Sequence, residues 1–197
     1  MKKACMDIET LSTTANSVVL SIGICFFDED IEQEYQEIVD KGIEIFFDCE
    51  IQEGRHIMPS TLKWWEKQGA DAQRVLNAVD TISPRDFHSI FETFCKDVGV
   101  SYNWVIKKCR WYTRGNHFDI AIMESLFSDF SVTPPWKYYN PRCVRTYLEE
   151  HGFSDNAKLV KPPGMIAHNA LHDAAFDAWM MQQVQHHPLA SLNIDKG

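Results

Sequence analysis

The sequence predicts an α/β fold in which a mixed β-sheet is flanked by α-helices. Residues 18–28 and 44–48 are rich in β-branched and aromatic side chains and are bounded by polar residues, as is typical of strands. Beyond residue 60, apolar residues recur at helical spacing, with one further strand pattern among them. A strand-rich start followed by alternating helices and strands is the order expected of helices packed on a mixed sheet.

The first elements are predicted from local signals. Together with residues 3–8, the segments 18–28 and 44–48 are expected to form an antiparallel meander that opens the fold. A helix is expected where Ser60 supplies a capping side chain. A second helix is expected to begin at Ser83–Pro84, and its apolar residues at three- and four-residue spacing are Phe87, Ile90, Phe91 and Phe94.

The second half of the chain is predicted to continue the alternation. Residues 109–113 are expected to be a strand, and residues 118–127 the helix that follows it. Two more helices are expected over residues 142–151 and 170–185. The segment Pro162-Pro163-Gly164 should break the chain between these two helices, because neither residue type continues a helix well.

Length and composition indicate one acidic globular domain. The 197 residues suffice for one substantial core, and we predict a domain over residues 1–187 with a C-terminal tail over 188–197. No apolar run approaches the roughly 18 residues that span a bilayer, and the start has no signal-peptide core, so we expect a cytoplasmic protein without a membrane partner. Six scattered cysteines without a CxxC pair argue against a zinc ribbon and against a compact disulfide framework.

The formal net charge of −9 limits the kind of nucleic-acid contact that the chain can make. Proteins that grip long nucleic acid through its phosphates usually carry basic patches. The acidic balance therefore argues against a large nucleic-acid footprint. It is compatible with a small acidic pocket in which bound cations neutralise the charge.

Two carboxylates stand two positions apart at the end of the first predicted strand, in the segment MDIET. Residues i and i+2 of a strand point to the same face, so Asp7 and Glu9 project together. Their charges repel each other unless a cation lies between them. Taken alone, the pair is equally compatible with a solvated edge strand.

Two further segments carry acids in suitable places. In RGNHFDI a predicted strand runs into a Gly-Asn turn, which places Asp119 beside the carboxyl end of a strand, where α/β sheets tend to build sites. In IAHNALHDA, His168 precedes Asp173 by five residues, a spacing that lets both approach one point. Each has an ordinary alternative, since an aspartate at a helix start interacts with the helix dipole and such His-Asp pairs arise by chance.

Taken together, four acids and one histidine occur in an order that resembles the DEDD superfamily of exonucleases: Asp7, Glu9, Asp119, His168 and Asp173. The histidine is typical of the DEDDh branch, whereas the tyrosine branch would have a tyrosine at the position of Asn169. The resemblance spans nearly the whole chain and is strongest to the group of T-even phage exonuclease A. That narrower likeness depends on residues 41–43, 60–65 with Gln68, 114–115 and 167–181.

The resemblance implies a ribonuclease-H-like fold and a 3′→5′ exonuclease that uses two Mg²⁺ or Mn²⁺ ions. Carboxylates suit these hard, oxygen-preferring cations, and two such ions can assist phosphodiester hydrolysis. By the family pattern, Asp7 would bridge both ions, while Glu9 and Asp173 would complete the ion that activates water. Asp119 would hold the other ion, partly through water. His168 would accept the proton of the attacking water.

The expected substrate is the 3′ end of single-stranded DNA, with RNA as the alternative, because the motifs do not encode sugar choice. The candidate substrate-binding residues are Thr10, Leu11, Trp64, Trp65, Arg114 and Phe118. Because Trp64 and Trp65 are adjacent, they cannot both face the core from one helix. One of the two tryptophans is therefore expected at the substrate cleft, where aromatic rings stack on unpaired bases.

Several alternatives remain open or are disfavoured on the sequence. A catalytically silent nucleic-acid-binding module and a metal-dependent phosphatase for small phosphoesters are the rivals from other classes. A zinc peptidase site at His168 and His172 is disfavoured, since Asn169 stands where that motif needs a glutamate. Asp177, one helical turn after Asp173, is expected to be an exposed acid on the helix surface, with a supporting position behind the metal ligands as the alternative.

Overall fold

The computed structural model describes residues 2–153, 158–188, 192 and 194–195, and its centre is a six-stranded sheet. The strands of this sheet are β1 (Lys2–Thr10), β2 (Val19–Asp28), β3 (Ile43–Phe47), β4 (Thr81–Ile82), β5 (Trp111–Thr113) and β6 (Pro141–Cys143). Their order across the sheet is β4-β3-β2-β1-β5-β6, so the first strand of the chain lies in the interior of the sheet. A separate two-stranded sheet pairs β7 (Lys158–Leu159) with β8 (Ile194–Asp195).

Helices cover both faces of the main sheet. They are α1 (Tyr35–Asp40), α2 (Pro59–Trp65), α3 (Ala70–Gln73), α4 (Phe87–Asp97), α5 (Tyr102–Lys108), α6 (Asp119–Asp129), α7 (Val144–Glu150) and α8 (Ala170–His186). The predicted antiparallel meander of β1, β2 and β3 is confirmed. Strand β5 is parallel to β1, and β6 is parallel to β5, so the sheet is mixed as predicted.

Alternation along β1 divides the core into two layers. Ala4, Met6 and Ile8 pack in the cluster that contains the buried side chains of α4 and α6. Cys5 points the other way, into the cluster formed with α8. Because side chains two positions apart share a face, Asp7 and Glu9 lie on the α8 side of the sheet. The two-residue period of the strand therefore places both carboxylates on the face that packs against α8.

The start of α8 lies directly on β2, at Gly23. A Cβ atom at this glycine would overlap the backbone of Ala170 and Leu171, the first two residues of the helix. In the strand register Gly23 stands between Asp7 on β1 and Glu44 on β3. Because Gly23 has no side chain, α8 can begin directly above it, between the carboxylates of Asp7 and Glu44 on the two neighbouring strands.

Some predicted boundaries are wrong. The cap of α2 is Met58, with Pro59 in the first turn, so Ser60 lies inside the helix; the fixed φ of proline suits a first helical position. Arg142 belongs to β6, and the helix predicted from that residue begins at Val144.

The C-terminal segment was predicted as a tail over residues 188–197. Of these residues, 189–191, 193 and 196–197 lie outside the described part of the chain, whereas 194–195 form β8. Among the described residues, no helix has both the length and the apolar character needed to cross a bilayer.

Substitution of Gly23 by alanine is expected to lower the free energy of unfolding by about 1–3 kcal/mol or more, because the new methyl group must displace the start of α8. Gly69 is the matched control, since it has open space around it and an extended backbone that alanine adopts easily. Urea unfolding of Gly23→Ala and Gly69→Ala measures the difference. Equal losses in the two variants would contradict the close packing of α8 on β2.

Candidate active site

Four acids from three parts of the chain meet where α8 crosses the sheet. Asp7 and Glu9 come from β1, Asp119 is the first residue of α6, and Asp173 lies in the first turn of α8. Ligand atoms of Glu9, His168 and Asp173 lie within 4.8 Å of one another. Asp7 and Asp173 line one cleft of about 280 Å³ together with His168.

The four carboxylates lie close together and are largely buried, and both effects raise their pKa values. Burial and the nearby charges of Asp119 and Glu9 raise the pKa of Asp7 well above its usual range. Burial and the charge of Asp173 do the same to the pKa of Glu9. Burial raises the pKa of Asp119 to about 7 and that of Asp173 to about 6. A divalent cation among these oxygens would relieve both the repulsion and the loss of hydration.

Backbone N–H groups hold two of the acids in place. The N–H of Gly115 donates to Asp119 Oδ2 at 3.3 Å, across the turn between β5 and α6. The N–H of His168 donates to Asp173 Oδ2 at 2.8 Å, so the loop before α8 and the first turn of the helix are tied to each other. Both acids are thus held by the backbone while their charges act on Asp7.

His168 lies at the mouth of the acidic cluster in an unusual backbone conformation. Its φ of 60° is in the left-handed region, which a residue with a side chain seldom adopts. The imidazole meets the ring of Trp64 edge-on, with the ring centroids 4.7 Å apart. Burial and the charge of Lys161 lower the pKa of His168, which favours the neutral form that can accept a proton.

A second cleft, of about 380 Å³, has Glu9 among its lining residues and is mainly apolar. Thr10, Trp64, Trp65 and Phe118 are among its lining residues. Trp64 is 40% exposed, whereas Trp65 is 1% exposed and its indole N–H donates to the carbonyl oxygen of Thr10 at 3.0 Å. As expected for neighbours on one helix, the two tryptophans differ in burial: both line the cleft, but Trp64 is exposed there, whereas Trp65 is buried in the core.

Leu11 and Arg114 occupy different surroundings from the other candidate substrate-binding residues. Leu11 is buried with Trp65, and its N–H and carbonyl are bonded to Val18 and Met58. Arg114 lines the smaller cleft, beside Asp7, and its Nε donates to Asp177 Oδ1 at 2.9 Å.

The expectation that Asp177 is an exposed acid is wrong. Its residue exposure is 3%, and it pairs with the guanidinium of Arg114, whose side chain is 33% exposed. A buried carboxylate needs such a partner, because a charge taken out of water is costly when it is left alone. The pair ties the end of β5 to α8, one turn below Asp173.

Sequence reasoning assigned no role to two residues that touch the site, Glu44 and Asn169. Glu44 Oε2 accepts a hydrogen bond from Asn169 Nδ2 at 2.8 Å, and Asn169 adjoins His168. The available signal was the position of Glu44 in its strand, since it alternates with Ile43 and Ile45 and so faces α8. The His172 side chain contacts Tyr35 instead: its Nδ1 lies 2.6 Å from the Tyr35 hydroxyl. His172 is therefore not part of the acidic cluster.

Sequence comparisons find related nucleases over nearly the full length. A family model described as the 3′-5′ exoribonuclease Rv2179c-like domain matches residues 2–185. The exodeoxyribonuclease of Enterobacteria phage T4 is 26% identical over 199 residues, covering 90% of this chain and 86% of the phage protein.

Solved structures of nucleases share the fold at low sequence identity. One is the zinc-bound form of the E. coli ExoI–ssDNA complex, with a TM-score of 0.55 and 12% identity over 93% of this chain and 40% of that one. Another is the nuclease domain of 3′hExo, a DEDDh family member bound to rAMP, with a TM-score of 0.53 and 13% identity over 98% and 96% of the two chains. The architecture is therefore the ribonuclease-H-like fold of DEDDh exonucleases, as predicted.

The raised carboxyl pKa values predict that the cation-free protein loses stability as pH rises. The folded state holds these protons more tightly than the unfolded chain, whose carboxyl pKa values lie near about 4. The stability that these bound protons contribute is fully present below about pH 4. It is lost as pH rises through about 6 and about 7, the pKa values of Asp173 and Asp119. The free energy of unfolding in EDTA should therefore be lower at pH 8 than at pH 5.5. Addition of Mg²⁺ or Mn²⁺ should raise it by more at pH 8 than at pH 5.5.

The pair Asp119→Asn and Asp97→Asn provides the control for this pH effect. Asp97 is exposed at the end of α4, whereas Asp119 is buried in the acidic cluster. Asp119→Asn should flatten the dependence on pH, and Asp97→Asn should leave it as in the wild type. The same slope in both variants would contradict the electrostatic account.

Proposed function

The chain belongs to the Rv2179c-like family of 3′-5′ exoribonuclease domains, and we propose that it releases 5′-mononucleotides from the 3′ ends of single-stranded DNA. As a DEDDh-type 3′→5′ exonuclease it is a hydrolase of phosphodiester bonds in nucleic acid. The observation that supports the proposal best is the meeting of Glu9, His168 and Asp173 beside an aromatic-walled cleft.

The residues proposed to hold two Mg²⁺ or Mn²⁺ ions are Asp7, Glu9, Asp119 and Asp173. All four offer carboxylate oxygens, the donors that these hard cations prefer over sulfur. Their raised pKa values, caused first by burial, mark a place where positive charge is favourable. When bound, two such ions activate the attacking water and neutralise charge on the leaving oxygen.

The remaining steps fall to side chains around the acids. His168, held at the mouth of the acidic cluster, accepts the proton of the attacking water. The terminal nucleotide occupies the cleft of about 380 Å³, where its base stacks on the exposed face of Trp64 with Phe118 nearby. Entry into this cleft requires an unstacked base, which favours single strands.

DNA is the first choice of substrate because the phage T4 relative is an exodeoxyribonuclease that aligns with most of the chain. RNA is the second candidate, because the matching family model is described as an exoribonuclease domain. The net charge of −9 supports a short contact at the 3′ end rather than a long grip on the strand.

Digestion of 5′-labelled single-stranded DNA and RNA of one sequence tests the proposal. With Mg²⁺ or Mn²⁺ the wild type should shorten both strands stepwise from the 3′ end, DNA faster, and release 5′-mononucleotides. Asp7→Ala should abolish release, because it removes the acid proposed to contact both ions. Asp97→Ala removes an exposed acid on the opposite helix layer and should leave the rate unchanged.

Other results would favour the rival functions. Binding of oligonucleotides without hydrolysis under either cation would indicate a silent binding module. Turnover of a chromogenic phosphate monoester with the oligonucleotide intact would indicate a phosphatase. Faster digestion of RNA than of DNA would make RNA the substrate.

Trp64 and Trp65 offer a matched pair for the substrate cleft. Trp64→Ala should raise KM for the oligonucleotide about five- to hundredfold, the equivalent of one stacked base, with a small change in the free energy of unfolding. Trp65→Ala should instead lower the free energy of unfolding by about 3–5 kcal/mol, because Trp65 is fully buried. Initial rates and urea unfolding separate the two effects. An unchanged KM in Trp64→Ala would exclude Trp64 from substrate binding.

A further inference from the structure

Glu44 reaches the active site from the third strand of the meander. It faces α8, and Gly23 separates it from Asp7 in the strand register. Both of its carboxylate oxygens accept hydrogen bonds: Oε1 from Ser21 Oγ at 3.2 Å and Oε2 from Asn169 Nδ2 at 2.8 Å. Its side chain is therefore fixed at both ends of the carboxylate and points at the loop that carries His168.

Asn169 connects this carboxylate to the helix and the loop. Its Oδ1 accepts from the N–H of His172 at 3.0 Å and so caps the start of α8. Its Nδ2 donates to Glu44, so the two ends of one amide join the sheet to the helix. His168 precedes it directly in the chain, so a shift of the Asn169 backbone would also move the histidine.

The backbone of His168 needs such support. A left-handed φ in a residue with a side chain is unfavourable and persists where surrounding contacts hold it. The N–H of His168 is bound to Asp173 on one side, and the neighbouring Asn169 is bound to Glu44 on the other. These two hydrogen bonds, with the contact between the imidazole and Trp64, define where the ring lies.

We propose that Glu44 is a positioning residue, which holds His168 in its left-handed conformation through the hydrogen bond to Asn169. This inference deepens the proposed function and rests on it, since His168 is proposed there to accept the proton of the attacking water. Glu44 acts through Asn169 and touches neither substrate nor water in the reaction. Its contribution is hydrogen-bond geometry, so a neutral acceptor of the same shape can replace it.

Four variants separate hydrogen bonding from charge. Glu44→Ala removes the acceptor, and Glu44→Gln keeps an amide oxygen that accepts from Asn169. Asn169→Asp keeps the helix cap, because aspartate caps as well as asparagine, but it sets a carboxylate against Glu44. The double variant Glu44→Gln/Asn169→Asp reverses the direction of the hydrogen bond and has the same net charge as the wild type.

The rates should follow the hydrogen bond. Glu44→Ala and Asn169→Asp should lower kcat by about 10- to 100-fold, the usual effect of losing a group that orients an active-site residue, with KM changed by less than about twofold. Glu44→Gln and the double variant should recover kcat to within about threefold of the wild type. Ser101→Ala is the control for lost stability, because it removes an equivalent cap from α5, where Ser101 Oγ accepts from the N–H of Trp104.

Hydrogen exchange provides a readout that does not depend on hydrolysis. The amide protons of His168, His172 and Asp173 are all bonded within the first turn of α8 and its loop. Mass spectrometry of a peptide over residues 166–174 should show faster exchange in Glu44→Ala and Asn169→Asp, and wild-type exchange in the double variant and in Ser101→Ala.

Three results would overturn the inference. Two of them are unchanged exchange in both Glu44→Ala and Asn169→Asp, and a double variant as slow as Asn169→Asp in catalysis. A Glu44→Gln variant as inactive as Glu44→Ala would also overturn it, since the charge of Glu44 would then be required. Failure of the proposed function looks different, because the wild type would then release no mononucleotides while the exchange pattern still followed the hydrogen bond.

Discussion

The close approach of α8 to β2 at Gly23 is the contact on which the active site depends. Asp7 and Glu9 are fixed by the strand period, but they form a site only because a helix begins directly above the neighbouring strand. That approach brings Asp173 over β1 and sets His168 at the edge of the cluster. A glycine in the interior of a strand usually weakens the strand, and here the loss is offset by a close contact of the two backbones.

The cluster of acids opposes folding, and the rest of the molecule compensates for it. Burial and mutual repulsion raise the carboxyl pKa values, so every ionised acid at this place costs free energy in the cation-free protein. Two apolar layers on the faces of the sheet and the ion pair of Arg114 with the buried Asp177 hold the elements together against it. Groups whose placement lowers the stability of the fold, as these carboxylates do, are typical of functional sites.

Much of the fold could be predicted from local patterns, because strands and amphipathic helices leave periodic signals. The alternation in β1 placed Asp7 and Glu9 together, and adjacency alone required Trp64 and Trp65 to differ in burial. The partner of Asp177 could not be predicted in this way, since Arg114 is distant in sequence and no periodic pattern links them. Pairing of β3 with β2 likewise depends on tertiary contacts, and it is what gives Glu44 its neighbours.

The site is built from two mechanically different halves. Asp7 and Glu9 belong to an interior strand that is paired on both sides, whereas His168 belongs to the connection before α8 and depends on hydrogen bonds from side chains. Changes in that connection can therefore move His168 without disturbing the strand that carries the first two acids. The N–H of His168 donates to Asp173, so the cluster can be reshaped from its α8 side while the paired strand keeps Asp7 and Glu9 in place.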